Sequence, residues 1–443
     1  MFEKKRIFIF GLARSGLEAA KLLNKYHNDI LVTDRSDADT ERINTLKDLG
    51  IKFIKTDTPE DLLDESFDYV VKNPGIIKTH PCVIKAEKLN IPVINELEVA
   101  YSFIKDKVKI IGITGSNGKT TTTTMIYEVL KQAGLSAVLA GNIGYPLCSV
   151  VGTVKQGDIL VCEISDHQLI NMTNFKTDIS VLTNLSEVHI DFHGTYENYK
   201  NVKKRIFNNH TEKSIAILNK GNKDVLELTK DIKDKKIYFS SKTEADLYIK
   251  DDAIYYKDEK IIDLKDIKIK GMHNYENVMC MVAVVKEFDV SNETIKKYLK
   301  DFGGVEHRIE FVRELHKRLF YNDSKATNTE STIVALKAFS NDVILLLGGL
   351  DRGHSFEPLN NDLKHVTHIL TYGETKDRIY DWAKGLSKDV KKFENLKEAL
   401  EYAYKISKEN DVILLSPACA SWDQYKCMED RGNEFKSIVN SLK

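Results

Sequence analysis

Val108-Lys109-Ile110-Ile111-Gly112-Ile113-Thr114-Gly115-Ser116-Asn117-Gly118-Lys119-Thr120-Thr121 decides the fold of this chain. A short apolar strand runs into a glycine-rich turn, and a Lys-Thr pair opens a helix. Gly115 and Gly118 let backbone amides approach phosphate oxygens with no Cβ in the way. Successive N–H groups and the helix N-terminus then face the anion. Lys119 can reach terminal phosphates, and the Thr120 hydroxyl suits Mg2+. Gly115, Ser116, Asn117, Gly118, Lys119, Thr120 and Thr121 are therefore the expected ATP-binding loop. The spacing is not the common phosphate-loop pattern: five residues separate Gly112 from Gly118, and only two lie between Gly115 and Gly118. Threonines continue to Thr124 although threonine is a poor helix former. Phosphate and metal chemistry accounts for Thr120, and packing for the rest.

Working outward, β-rich runs alternate with helical patterns, which argues for parallel α/β layers. The first block has a strand at 6–10, then Gly11-Leu12-Ala13-Arg14-Ser15-Gly16 and a helix over 17–26. A second strand, Ile30-Leu31-Val32-Thr33, ends at Asp34. This is a Rossmann-like start that lacks the middle glycine. It leaves a dinucleotide or a nucleotide-sugar site open. Asn73-Pro74-Gly75-Ile76 follows the run Tyr69-Val70-Val71 at another strand-to-loop transition. The second block carries the glycine-rich loop, strands at 158–164, 179–184, 214–219 and 236–240, a small β meander within 245–270, and a helix over 275–287. The third has strands at 319–322, 343–347, 367–372 and 411–415 and a helix over 394–407. The expected architecture is α/β in three domains: a Rossmann-like domain at 1–106, a central P-loop ATPase-like domain with a parallel or mixed sheet at 107–302, and a Rossmann-like domain at 303–443.

Composition narrows the class. The chain has 443 residues, of which 42% are hydrophobic and 30% charged, with a formal net charge of −1. Nothing there calls for nucleic acid or an anionic membrane as partner. The six cysteines show no paired metal spacing and several sit in apolar runs, which fits a reduced cytoplasmic compartment. Lys4-Lys5-Arg6 before Ile7-Phe8-Ile9-Phe10 resembles the start of a signal peptide. The apolar run is too short for one, and it reads as the first strand. No apolar stretch has the length of a membrane span.

The chemistry-bearing residues sit where strands end. Glu163 closes the run 158–162, the place for a Mg2+ ligand beside a phosphate loop. His189, Asp191 and His193 alternate after another strand and suggest metal or phosphate contacts. Lys200 and Lys204 read as a solvated basic face. The third block supplies His307-Arg308, Asp323-Ser324-Lys325-Ala326-Thr327-Asn328, Gly348-Gly349-Leu350-Asp351-Arg352-Gly353 and Ser416-Pro417-Ala418-Cys419-Ala420-Ser421. These offer cations and hydroxyls suited to carboxylates and phosphates. On these residues alone, an ATPase that hydrolyses without ligating is the alternative.

Taken together, Thr114-Gly115-Ser116-Asn117-Gly118-Lys119-Thr120-Thr121, Gly141-Asn142-Ile143-Gly144 and the third-block motifs resemble the Mur ligases of peptidoglycan synthesis along the whole chain. The 323–328 and 416–421 motifs resemble the D-glutamate-adding members. The resemblance implies ATP-driven amide formation through an acyl phosphate, with UDP-MurNAc-L-Ala and D-glutamate as substrates. It also implies two Mg2+ ions, a cytoplasmic location and a monomer. By motif, Lys119, Asn142, His189, Lys203 and Lys325 would be catalytic. Thr120, Glu163, His189 and a carbamylated Lys203 would hold the metals. Asn274, Asn277, Arg308 and Asp323 would join the loop at ATP. Arg14, Ser15, Asp34, Arg35, Asn73, Gly75, Asn142, Ser165, Gln168 and His189 would meet the UDP substrate, and Thr327, Arg352, Ser421 and Met428 the D-glutamate. Four places depart from the family: Asp166-His167 where Ser-Phe is frequent, Asn73 for a serine, Arg352 for a lysine, and Met428 for a phenylalanine.

Overall fold

The computed structural model describes residues 2–37, 40–188 and 190–443, the side chains of Asp191 and Glu330 excepted. The chain divides into two compact units, Met1–Lys300 and Asp301–Lys443. The first unit holds two sheets. One is fully parallel, in the order Lys52–Lys55, Asp29–Asp34, Arg6–Phe10, Tyr69–Lys72, Val93–Ile94. Its two central strands start crossovers in opposite directions, which opens a crevice at their C-terminal ends. Arg6–Phe10 is thus the first strand, as its short apolar run requires.

The second sheet runs Glu259–Asp263, Ala253–Tyr256, Leu247–Lys250, Lys235–Ser240, Ile215–Asn219, Ile179–Leu182, Lys109–Thr114, Ile159–Glu163, Ala137–Gly141. The two pairings at the meander edge are antiparallel and the others parallel. Lys109–Thr114 is buried from Ile110 onward, as a central parallel strand must be. It lies between the strands that end at Glu163 and at Leu182, so its loop and theirs meet at one edge of the sheet.

The two sheets of this unit share one apolar core. Ile7, Leu17, Leu97 and Val99 belong to the same buried cluster as Ile110, Leu147, Leu160 and Phe175. Glu98 adds a polar latch: its buried Oε1 accepts the backbone N–H of Thr173, Asn174 and Phe175 at 2.6, 2.8 and 2.7 Å.

The second unit carries a six-stranded sheet: Glu310–Leu315, Arg318–Asn322, Val412–Leu415, Val343–Gly348, Val366–Tyr372, Asp389–Lys392. Only its first pairing is antiparallel. Separate apolar clusters line its two faces, one around Leu345 and Leu414 and one around Ile344 and Ile413. Alternating residues of one strand thereby feed opposite faces. The fold is the expected α/β arrangement on three sheets. Strand ends move by a residue or two, and the helix expected at 275–287 begins at Met272.

Candidate active site

The glycine-rich loop is built around two backbone constraints. Gly115 has φ +146° and Gly118 has φ +81°. A Cβ on Gly115 would lie 2.0 Å from Thr183 Oγ1, and one on Gly118 would lie 2.2 Å from Asn277 Oδ1. Neighbouring segments hold the loop. Ser116 N–H donates to the Asn184 carbonyl and Asn117 N–H to Asn184 Oδ1, while Thr183 Oγ1 donates to the Asn117 carbonyl. Ser116 Oγ and Tyr199 Oη are 2.8 Å apart. The Lys119 ammonium lies across the turn and donates to the carbonyls of Gly115 and Ser116, both at 2.9 Å.

Helix Lys119–Gln132 follows with its first threonine buried. Thr122 and Thr123 are fully buried and donate to Asn277 Oδ1 and the Lys119 carbonyl, so packing does explain these two. Asn277 and Asn274 lie on the first turns of helix Met272–Lys286, joined at 3.5 Å, and Asn277 abuts Gly118. Asn277 is thus beside the loop, with Asn274 one turn earlier on the same helix.

Glu163 is 1% exposed at the end of its strand. Asn142 donates its side-chain amide to Glu163 Oε1 at 2.6 Å. Glu163 Oε2 is buried with no hydrogen-bond partner among the described residues. Such a carboxylate oxygen has the chemistry a hard divalent cation takes.

Lys203 is fully buried on helix Tyr196–Lys204. Its Nζ donates to Thr114 Oγ1 at 3.1 Å and stands 3.5 Å from Asp166 Oδ1. Burial, and then the nearby Lys119 cation, push its pKa down to about 7, against the pull of Asp166. Asp166 in turn meets His193 Nε2 at 2.7 Å and His167 Nδ1 at 3.4 Å. Sequence reasoning noted Asp166 only as a departure from a motif. His193 and Lys203, both expected near metal or phosphate, are two residues it joins. Lys200 and Lys204 are less bare than expected, paired with Glu197 and Asp231 at 2.7 Å. His189 lies outside the described residues.

At the crevice of the first sheet, Ser15 Oγ donates to Asn73 Oδ1 at 2.7 Å. Asp34 accepts the N–H of Leu12 at 2.7 Å and of Ser36 at 3.0 Å, and Arg35 is exposed. Arg14 donates to the Gly144 carbonyl at 3.0 Å, next to Asn142. Ser165 and Gln168 form a reciprocal capping box on the short helix Asp166–Leu169, so both spend polar groups on each other.

In the second unit the 323–328 loop, the 348–353 loop, the 416–421 loop and the start of helix Met428–Ser441 gather at the C-terminal edge of the sheet. Asp323 is 4% exposed and accepts from Ser416 Oγ at 2.8 Å and Ile309 N–H at 3.1 Å. Arg308 beside it is exposed. Lys325 and Thr327 are half-buried, Ser421 Oγ is buried without a partner among the described residues, and Arg352 lies over the Trp422 ring at 4.8 Å. Ser324 Oγ donates to the Met428 carbonyl at 2.7 Å. Arg431 joins these loops: fully buried, it donates to Ser324 Oγ at 2.9 Å and the Ser324 carbonyl at 2.8 Å. No sequence signal separates Arg431 from an ordinary helix-surface arginine.

Comparison with known proteins agrees along the whole chain. Residues 113–285 match the Mur ligase middle domain, and residues 307–419 match the Mur ligase glutamate ligase domain. The UDP-N-acetylmuramoylalanine--D-glutamate ligase of Bacillus cereus (strain G9842) is 41% identical over 100% of this chain and 98% of its own length. The enzyme of that name from Geobacillus sp. (strain WCH70) is 43% identical, with 100% and 99% covered. Among solved structures, UDP-N-acetylmuramate-alanine ligase from Thermotoga maritima superposes with a TM-score of 0.61 at 19% identity, covering 99% of this chain and 100% of that one. This last likeness concerns the fold.

Proposed function

Because this chain belongs to the Mur ligase family, we propose that it joins D-glutamate to UDP-N-acetylmuramoyl-L-alanine at the expense of ATP, a step of peptidoglycan synthesis. It is an acid–amino-acid ligase: a C–N bond forms while ATP becomes ADP and phosphate. The observation that carries the reading is the glycine-rich loop with Lys119 on one edge of the central sheet, beside the half-satisfied carboxylate of Glu163 and the buried Lys203.

Phosphoryl transfer needs positioning and charge neutralisation more than a covalent nucleophile. Lys119 and the loop amides hold the β- and γ-phosphates, and Asn274 and Asn277 flank the adenine. The substrate carboxylate attacks the γ-phosphorus, the bond to the bridging oxygen breaks, and ADP leaves. The D-glutamate amine then attacks the acyl carbon, and phosphate departs. Thr120 and Glu163 are the residues for one Mg2+, with His189 and carbamylated Lys203 for a second. Bound there, the cations neutralise phosphate charge. Arg14, Ser15, Asp34, Arg35, Asn73 and Gly75 take the UDP portion. Arg308 and Asp323 belong to the ATP site, and Lys325 has a catalytic role. Thr327, Arg352, Ser421 and Met428 take D-glutamate, where the fork of Arg352 suits a carboxylate. No helix of the described residues is long and apolar enough to cross a membrane.

The test is phosphate release with UDP-MurNAc-L-Ala against a panel of amino acids. Release dependent on both that substrate and D-glutamate is expected. Equal release without D-glutamate would overturn the reading.

A further inference from the structure

Lys72 ends the strand Tyr69–Lys72 and is 1% exposed. Among the described residues it forms no ion pair. Its Nζ donates instead to three carbonyls of the loop that follows: Asn73 at 3.2 Å, Pro74 at 3.3 Å and Ile76 at 2.6 Å. An ammonium has three N–H donors, so all of them go to one short loop.

Peptide geometry gives this clamp a consequence. In a trans peptide the carbonyl and the next N–H point opposite ways. Turning the Pro74 and Ile76 carbonyls toward Lys72 therefore turns the N–H groups of Gly75 and Ile77 away from it. A Cβ on Gly75 would meet nothing within 4 Å, and its φ lies outside the left-handed range. Neither backbone strain nor packing within the protein demands glycine there, and the space beside it is open. The loop also faces the first turn of the chain across the crevice. Asn73 N–H donates to the Phe10 carbonyl at 2.9 Å, and Asn73 Oδ1 accepts from Ser15 Oγ at 2.7 Å. Strands Arg6–Phe10 and Tyr69–Lys72 are the neighbours at which the crossovers reverse, where open parallel sheets take ligands. A cation beneath the loop adds a favourable field for an anionic group above it.

We propose that Lys72 is a positioning residue for the UDP-linked substrate: it anchors the 73–76 loop from beneath, so that the loop's outward amides meet an anionic part of that substrate. This rests on reading Ser15, at the start of helix Arg14–Asn24, and the Asn73 loop as the UDP-substrate site. Lys72→Met keeps an unbranched stem one atom shorter and removes all three donors, whereas Lys72→Arg keeps charge and donors. In the full-length enzyme, Lys72→Met is expected to raise KM for UDP-MurNAc-L-Ala about tenfold, the scale of one charged hydrogen bond, with kcat and the KM for ATP within about twofold. Lys72→Arg should recover part of the loss, and amide exchange should quicken across 73–77 in Lys72→Met alone. Should Lys72→Met not fold by circular dichroism, Lys72→Gln, which loses the charge and keeps two shorter-reaching donors, carries the comparison with a smaller rise in KM. An unchanged KM for the Lys72 variants, while Asn73→Ala and Ser15→Ala raise it, would overturn the inference and leave the site reading standing. An unchanged KM in all of these variants would place the UDP site elsewhere and remove both.

Discussion

Asn142 grips Glu163 twice: its backbone N–H donates to the Glu163 carbonyl at 2.9 Å, and its side-chain amide donates to Oε1 at 2.6 Å. One carboxylate oxygen is committed by this and the other is left over, buried and without a partner among the described residues. Burying such an oxygen costs free energy unless something meets it.

Glu163→Gln tests what meets it. The substitution keeps shape and removes charge. Ligation is expected to fall about 100-fold at low Mg2+ and to recover in part as Mg2+ is raised, as for loss of a ligand-shell contact. Rates measured across a Mg2+ series decide it. An unchanged Mg2+ dependence would remove Glu163 from the cation site.

Lys203→Ala should cost about 100-fold or more in ligation, on the scale of losing one preorganised electrostatic group. Bicarbonate should not restore activity, and short carboxylic acids should restore it in part by occupying the vacated space. Wild-type activity in this variant would exclude the carbamate.

Gly118→Ala places a Cβ 2.2 Å from Asn277 Oδ1 at φ +81°. The strain of the left-handed region alone is about 1–2 kcal/mol. The loop must shift, so KM for ATP should rise about tenfold. KM for the UDP substrate should stay near its original value. Steady-state kinetics in each substrate would show whether the effect is confined to ATP.

Asp323 provides a pH test. Burial pushes its carboxyl up to about 7 in the fold, despite the opposing hydrogen bonds from Ser416 and Ile309, against an ordinary value of 3.8. The native state therefore holds an extra proton between those two values. Its stability falls as pH rises through that window and reaches its full penalty above about 7. Asp323→Asn removes the dependence. Relative to the parent, its thermal midpoint should gain at pH 8 and not at pH 4, by the equivalent of about 4 kcal/mol. A gain equal at both pH values would show that folding leaves the Asp323 carboxyl at its ordinary pKa. On the proposed role of Asp323 toward ATP, activity should fall at every pH, because the amide keeps only one of the two acceptor oxygens that Ser416 and Ile309 use.

Much of this was legible in the sequence. Strand, glycine turn and Lys-Thr are neighbours in the chain, so the local backbone chemistry that suits a phosphate is readable from the run itself. The alternation of apolar runs with helical periods likewise placed the strands within a residue or two, because burial on both faces forces continuous apolar runs. The roles of three buried charges were not legible. Asp166 becomes significant only when it meets Lys203, 37 residues away, and His193. Arg431 does so through Ser324, 107 residues away. Lys72 reads as an ordinary strand-end lysine until three carbonyls close on it. The common core of the first two sheets was hidden for the same reason, since apolar residues announce that they are buried and not against what. The sequence by itself determined the local chemistry and the layer type. Tertiary structure alone decided which buried charge meets which partner, because a charge withdrawn from water is defined by the groups that replace the water.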